Sequence, residues 1–180
     1  MLEHCFLGRS IDLITFSPPC RCFSIASCST HWEYMPNDWL LPKTEGAEEA
    51  CRIVLAGIEI IKRLRPAHWV IENPRGMLRK MPFMKSLVIR DQFFGNPTEI
   101  WWCQYGDRAA KPTDLWMSAS MAAAFDPRTC SNGASLRGEC HHEAAPRGSK
   151  TGTQGKHRKD RARIPYLLSA AIYDAAGARE

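Results

Sequence analysis

The segment IDLITFSPPCRCFS, residues 11–24, decides the fold, because it joins a strand to a rigid loop. Its apolar run from Ile11 to Phe16 predicts a buried strand. The Ser-Pro-Pro-Cys that follows predicts a stiff loop, since two prolines fix φ and remove two backbone donors. The thiol of Cys20 is therefore held in a defined position at the end of a strand, which is what a nucleophile requires. A packed structural cysteine is the alternative interpretation.

The sequence predicts that a helix and a second strand follow this loop. Residues 45–65 carry apolar side chains at three- and four-residue spacing and charges that suit the helix dipole, and Pro66 ends the helix. HWVIENP, residues 68–74, then predicts a second buried strand that also ends in a polar cluster. Strand, loop, helix and strand in this order are typical of a parallel α/β sheet, whose ligands bind at the carboxyl ends of the strands. The clusters SPPC and ENP both fall there.

Glu72 is the second candidate site residue. The apolar residues before it, Trp69 to Ile71, indicate that its carboxyl group is buried at the end of the second strand. Burial disfavours the charged form of a carboxyl group, so we expect the pKa of Glu72 to be raised and a proton to be held near neutral pH. An ordinary surface glutamate is the alternative.

The rest of the chain predicts fewer regular elements. Residues 17–43 are rich in Pro, Ser and Cys and indicate a loop or lid. IWWCQYG (100–106) and TDLWMS (113–118) predict an antiparallel hairpin, or two edge strands, added to the sheet. IPYLLSAAIYDAAG (164–177) predicts a closing helix with Pro165 near its first turn.

A basic region over residues 127–164 indicates a polyanionic partner. The chain of 180 residues has a net charge of only +5, but this stretch concentrates positive charge. It lies between a predicted catalytic core over residues 1–126 and the closing helix over 165–180. The candidate DNA-binding residues in it are Arg147, Lys150, Arg158, Lys159, Arg161 and Arg163. A solvated loop is the alternative interpretation of the same charges.

The composition predicts a cytoplasmic protein with reduced thiols. No apolar run is long enough to span a bilayer, and the first ten residues lack the pattern of a signal peptide. The eight cysteines are scattered without any secretory feature, so a disulfide framework is not expected. We expect no catalytic metal, although a zinc staple is an alternative for a Cys and His cluster of non-standard spacing. That cluster consists of Cys130, Cys140, His141 and His142.

Several motifs in order carry a family resemblance: PPCRCFS (18–24), ENP (72–74) about fifty residues later, and QYG (104–106) followed by KPTDLW (111–116). Together they resemble the DNA cytosine-C5 methyltransferases, and most closely the compact members found in phages and prophages. The resemblance extends over most of the chain from Asp12 onward. It implies an α/β fold with a partial Rossmann-like, class I methyltransferase sheet, an irregular basic C-terminal region and a closing helix.

The resemblance also implies a reaction and a set of site residues. A methyl group would pass from S-adenosyl-L-methionine to C5 of a cytosine flipped out of double-stranded DNA. Cys20 would be the nucleophile that adds to the ring, and Glu72 would hold the base. Lys111 and Thr113 fall where the family commonly has two arginines. The implied supporting residues are Pro19, Ser24, Asn73, Pro74, Lys111 and Thr113, and the implied cofactor contacts are Pro18 and Pro19.

The cofactor site departs from the family pattern. The family begins with a Phe-x-Gly-x-Gly-type loop and an acidic residue that holds the ribose, and neither precedes Asp12. We therefore expect the chain to lack half of its cofactor site, as a truncated gene, as a fragment with a late start codon, or as one part of a split enzyme whose partner chain carries the missing half. Two rival functions are an inactive remnant that binds DNA and a small zinc-stapled interaction module.

Overall fold

The structure is a computed structural model that describes residues 10–36, 40–130 and 160–177. Its strands and α-helices, in chain order, are β1 (Leu13–Phe16), α1 (Cys28–His31), β2 (Trp32–Tyr34), β3 (Leu40–Pro42), α2 (Glu45–Leu64), β4 (His68–Pro74), α3 (Pro82–Lys85), β5 (Val88–Ile89), β6 (Gln92–Phe93), β7 (Thr98–Trp101), β8 (Pro112–Met117), α4 (Ala119–Ala124) and α5 (Tyr166–Ala175). Short 3-10 helices lie at Ile25–Ser27, Leu78–Lys80, Trp102–Tyr105 and Asp160–Ala162. None of the helices in these ranges is long and apolar enough to cross a membrane.

The described part of the chain contains a four-stranded mixed sheet with the order β1, β4, β8, β7. β1 runs parallel to β4, from the pair Leu13 and His68 to the pair Phe16 and Ile71. This confirms the two strands that were predicted before and after the helix now labelled α2. β8 is antiparallel to both β4 and β7. The predicted antiparallel pairing of the two later segments is therefore confirmed, but β8 lies inside the sheet beside β4 and is not an edge strand.

Two predicted elements end earlier than expected. The strand predicted over IWWCQYG ends at Trp101, because Trp102–Tyr105 forms a 3-10 helix that closes at Gly106 with φ 82°. The predicted helix over residues 45–65 ends one residue earlier, because Arg65 adopts a left-handed conformation with φ 48° and caps the helix. The positive φ of Arg65 thus ends α2, whereas β7 ends where the 3-10 helix begins.

Helices cover both faces of the sheet, as the α/β prediction requires. On one face, the apolar stripe of α2 packs in the same core as Ile71 of β4. On the other face, Leu168 of α5 packs in the same core as Val70. Successive side chains of a strand point to opposite faces. Glu72 therefore shares the α5 face with Val70, and Asn73 shares the α2 face with Ile71.

Residues 17–43, predicted as a loop or lid, carry secondary structure of their own. β2 and β3 form an antiparallel hairpin, and Trp32 at its start is buried. The indole Nε1 of Trp32 donates to the carbonyl of Cys22 at 2.7 Å, and its ring stacks on Phe23 with centroids 5.7 Å apart. The hairpin is thus packed onto the loop that carries Cys20.

The Cys20 loop is also packed against the segment that follows β4. The Met77 N–H donates to the Phe23 carbonyl at 2.7 Å. A Cβ on Gly76 would lie 2.2 Å from the same oxygen, so a side chain at this position has no room. The loops at the ends of β1 and β4 are therefore joined through main-chain atoms of Phe23.

Replacement of Gly76 by alanine is expected to destabilise the fold, because the new methyl group overlaps the Phe23 carbonyl and the main chain must move. Overpacking of this kind costs roughly 1–3 kcal/mol. Gly46 is the matched control, since a Cβ there meets its nearest neighbour, Cys22 Sγ, at 3.8 Å in the first turn of α2. In urea unfolding, the free energy of unfolding should fall for Gly76→Ala and should stay the same or rise for Gly46→Ala. Equal free energies of unfolding would contradict the close approach of the two segments.

Candidate active site

The carboxyl ends of β1 and β4 bring the two predicted motifs together. At the end of β4, the side-chain Nδ2 of Asn73 donates to the carbonyl of Pro18, in the loop after β1, at 3.0 Å. This bond is buried and adds to the main-chain contact between Met77 and Phe23. The SPPC and ENP segments, about fifty residues apart in the sequence, therefore lie side by side.

The thiol of Cys20 is solvent-exposed, whereas the next thiol in the loop, Cys22, is buried. A tight turn holds Cys20, since the Phe23 N–H donates to its carbonyl at 3.1 Å. Cys22 packs inward, and its Sγ donates to the Gly46 carbonyl at 3.3 Å. Burial and the neighbouring Cys22 raise the pKa of Cys51 to about 11, so that thiol is a poor nucleophile. Among these three thiols, Cys20 is the one that a substrate can reach.

Glu72 is 7% exposed, and its Oε1 has no hydrogen-bond partner among the described residues. It lines a cavity of about 220 Å³ between the sheet and α5, named here the β1–α5 cavity. The other polar side chains that line this cavity are Thr15, Ser17, Ser169 and Tyr173. Burial raises the pKa of Glu72, and the charge of Lys111 and a hydrogen bond from Ser17 oppose that shift. The expected burial of this carboxyl group is confirmed, and the direction of its pKa shift is the expected one.

Lys111 and Thr113 differ in what they contribute beside Glu72. The Lys111 Nζ lies 3.4 Å from the centroid of the Trp102 ring. Thr113 is fully buried, and its hydroxyl donates to the Lys111 carbonyl at 3.3 Å. Lys111 therefore supplies a point charge held on an aromatic face, which cannot form the bidentate fork of a guanidinium. Thr113 fixes the main chain of Lys111 and adds no charge.

Ser24 and Pro74 shape the two loops. The Ser24 Oγ accepts from the Ala26 N–H at 3.2 Å and so caps the short helix Ile25–Ser27. Pro74 ends β4 opposite Thr113 of β8. Both residues therefore shape the main chain near the two reactive groups, and their supporting role stays a prediction.

Pro18 and Pro19, predicted to contact a cofactor, lie in different environments. Pro18 is buried, and its carbonyl accepts the hydrogen bond from Asn73. Pro19 is exposed beside Cys20. Neither proline lines the β1–α5 cavity. A shared contact of both prolines with one ligand stays a prediction.

An ion-pair network beside the site was not predicted from the sequence. Asp114, opposite Asn73 in β8, is fully buried, and both of its carboxylate oxygens accept hydrogen bonds from the Arg79 guanidinium, the one from Nε at 2.8 Å. Arg79 also donates to Glu99 at 3.1 Å, and Glu99 accepts from Arg75 at 3.0 Å. Burial raises the pKa of Asp114, and Arg79 opposes the shift. The signal for such a pair was a charged residue inside the apolar stretch TDLWM.

Most of the predicted DNA-binding and zinc-binding residues lie outside the described residues. These are Arg147, Lys150, Arg158, Lys159, Cys140, His141 and His142, together with the side chain of Arg161. Arg163 is exposed just before α5, and Cys130 is buried. Residues 10–36, 40–130 and 160–177 contain no group of three or more His, Cys, Asp or Glu that could hold a metal ion.

No protein-family model matches this chain, and no curated protein matches its sequence. The geometry and chemistry of the site therefore carry the functional argument.

Removal of the Arg79 guanidinium is expected to destabilise the protein, because the Asp114 carboxylate is left buried without its partner. Breaking a buried pair costs about 3–5 kcal/mol, and we expect roughly the lower value because the Arg79 side chain is 31% exposed. Arg52→Ala is the control, since its ion pair with Glu49 is exposed and such pairs contribute about 0–1 kcal/mol. Urea unfolding measures both losses. A loss for Arg79→Ala as small as that for Arg52→Ala would show that Asp114 does not depend on this pair.

The raised pKa of Glu72 predicts a pH-dependent stability difference between the protein and a Glu72→Gln variant. A carboxyl group whose folded-state pKa lies above its ordinary value of 4.5 contributes its stability below that value, and the contribution is lost as pH rises through the folded-state pKa. Glutamine does not titrate, so the variant should become more stable relative to the parent over that range. Free energies of unfolding in urea at a series of pH values check this. A difference that stays constant with pH would indicate an unshifted carboxyl group.

Proposed function

We propose that this chain carries the nucleophile and the base-holding acid of a DNA cytosine-C5 methyltransferase-like enzyme. The observation that carries the proposal is an exposed thiol, Cys20, in the loop after β1 and a buried carboxyl group, Glu72, near the end of β4. The bond from Asn73 to Pro18 joins these two segments. An accessible thiol and a carboxyl group of raised pKa are the two groups that nucleophilic addition to a pyrimidine ring requires.

A partial Rossmann-like, class I methyltransferase fold is part of the proposal. It is supported by a mixed sheet with helices on both faces and by a site at the carboxyl ends of the parallel pair β1 and β4. Open α/β sheets bind their ligands at that edge. A cytoplasmic location, where such an enzyme meets its DNA, belongs to the same proposal.

The first chemical step is the addition of Cys20 to the base. The thiolate sulfur forms a bond to C6, the electron pair of the C5–C6 double bond moves to form a C4–C5 double bond, and the electron pair of the C4–N3 double bond takes up a proton at N3. The product is an enamine whose C5 is nucleophilic. C5 then takes up an electrophile or a solvent proton. Loss of the original C5 proton to solvent, expulsion of the Cys20 thiolate and return of the N3 proton to the Glu72 carboxylate restore the neutral aromatic ring.

Glu72 supplies the proton at N3. The raised pKa favours the protonated form of the carboxyl group, in which one oxygen donates to N3 while the other accepts from the 4-amino group of the base. The buried Oε1, which has no partner in the described part of the chain, is available for one of these two bonds. Cytosine presents an acceptor and a donor side by side, which is the pattern that a neutral carboxyl group complements.

The partner implied by this chemistry is double-stranded DNA with the target base flipped out. The ring of a stacked base is not accessible to Cys20, and extrusion of the base costs a few kcal/mol. The basic residues predicted between 127 and 164 would contact phosphates, which contributes affinity without reading the sequence. Arg163 is the described member of that set, and it is exposed.

The methyl donor that the family implies is S-adenosyl-L-methionine, and the proposal gives this chain only part of the site that would bind it. Among the described residues that line the β1–α5 cavity, Glu72 is the single acid, and in this proposal it binds the base. No second acid in that cavity is left to hold a ribose. We propose that a further segment, or a partner chain that carries the missing half, supplies the rest of the cofactor site.

Proton exchange at C5 tests the nucleophile without any cofactor. In D2O, the protein should exchange the C5 hydrogen of cytosine in a duplex for deuterium, as followed by mass spectrometry of the released nucleosides. Cys20→Ser should abolish the exchange and keep its DNA affinity, while Glu72→Gln should slow it by about 10²–10⁴-fold. Cys22→Ser is the matched control, because its hydroxyl can keep the bond to the Gly46 carbonyl and the exchange should persist.

Exchange by Cys20→Ser at a rate comparable to that of the parent would remove Cys20 as the nucleophile. A parent protein that binds DNA but gives no exchange would favour the rival function, a catalytically inactive remnant that binds DNA.

A further inference from the structure

An exposed tyrosine lies beside the loop that carries Cys20. Tyr34, at the end of β2, is 56% exposed although it is a large aromatic residue. Its hydroxyl lies 3.7 Å from the sulfur of Met77. The main-chain N–H of Met77 donates a hydrogen bond to the Phe23 carbonyl. The ring of Tyr34 is therefore fixed next to the junction of the two active-site loops and still presents most of its surface to solvent.

One positive charge lies beside this tyrosine, a second is exposed in the Cys20 loop, and neither has an acidic partner among the described residues. The Lys80 Nζ lies 5.8 Å from the centroid of the Tyr34 ring. Arg21, next to Cys20 in the chain, is exposed. The other two arginines of this region are engaged by acids, since Arg75 and Arg79 both bind Glu99.

We propose that Tyr34, Arg21 and Lys80 form a contact surface for the DNA strand that carries the target base, with Tyr34 stacked on a nucleobase and the two cations on phosphates. The inference rests on the proposed function and names the surface that holds its substrate. A cationic surface with an exposed aromatic ring is the arrangement that proteins use to hold an unpaired strand, because every base has a face to stack and every linkage has a charge.

The position of this surface favours a nucleic acid over an acidic protein partner. A strand whose base reaches Cys20 must pass close to the neighbouring Arg21, so its phosphates meet that guanidinium. An acidic peptide would use the two cations but would leave the exposed ring of Tyr34 without a stacking partner. Glu33, the adjacent acid, falls on the opposite face of β2 because strand side chains alternate.

Fluorescence anisotropy with a labelled duplex of mixed sequence tests the proposal on the full chain. The Arg21→Ala, Lys80→Ala double variant should reduce the slope of log affinity against log salt by about two units, from roughly −0.9 per phosphate contact. Arg63→Ala is the matched control, since this exposed cation lies at the end of α2, next to the start of β4 and at the opposite edge of the sheet. Its slope should stay near that of the parent.

Two substitutions at Tyr34 separate stacking from charge. Tyr34→Leu keeps an apolar contact with Met77 but removes the ring, and it should weaken binding roughly tenfold, as expected for the loss of one stacked base. Tyr34→Phe should bind like the parent. With inorganic polyphosphate as the probe, which has no bases, Tyr34→Leu and the parent should bind alike. Thermal unfolding of each variant should match the parent.

The proposal is overturned if the double variant has the same salt slope as Arg63→Ala, or if Tyr34→Leu binds DNA with the affinity of the parent. It is also overturned if Tyr34→Leu weakens the binding of polyphosphate as much as the binding of DNA. Failure of the proposed function is distinguishable from these results. If the parent shows no C5 exchange but the Arg21, Tyr34 and Lys80 variants still bind DNA more weakly, the contact surface stands and the proposed reaction fails. If the parent shows C5 exchange but the variants bind DNA with the affinity of the parent, the proposed reaction stands and the contact surface fails.

Discussion

The rest of the site depends on the contact between the Phe23 carbonyl and the segment Gly76–Met77. Strand pairing fixes β1 beside β4, but it does not determine where the loops at their ends go. The Met77 N–H bond of 2.7 Å and the missing side chain at Gly76 bring those loops into direct contact. Cys20 belongs to one loop and Glu72 to the strand that feeds the other. Their relative position is therefore set by this contact and not by either segment alone.

The ion pair of Arg79 and Asp114 holds one side of that contact. Arg79 follows Met77 within one turn of 3-10 helix, and Asp114 lies in β8 beside the end of β4. A buried pair is weak evidence for net stability, because desolvation offsets much of its attraction. What a two-point guanidinium bond does fix is orientation. The segment after β4 is therefore attached to the sheet at Asp114 and to the Cys20 loop at Phe23.

The hydrophobic periodicity and the prolines of the sequence predicted the elements that depend on neighbouring residues in the chain. The apolar runs before SPPC and ENP, and a helical period ended by Pro66, indicated β1, α2 and β4 and placed both motifs at one edge of the sheet. They did not indicate that Trp32 donates to the Cys22 carbonyl, ten residues away, or that Arg79 pairs with Asp114, 35 residues away. Such contacts depend on tertiary packing, which no periodicity encodes. The β1–α5 cavity belongs to the same class, since a distant helix forms one of its walls.

The alternation of side chains along β4 gives two neighbouring residues different tasks. Asn73 faces α2 and ties down the Pro18 loop, while Glu72 faces α5 and the cavity. Burial on that face outweighs the opposing charge of Lys111, so the pKa of Glu72 is raised. A guanidinium forked onto the carboxylate would favour the charged form with two hydrogen bonds and lower the pKa of Glu72. A lysine held on the face of Trp102 supplies charge without that fork, and the Glu72 Oε1 has no hydrogen-bond partner among the described residues.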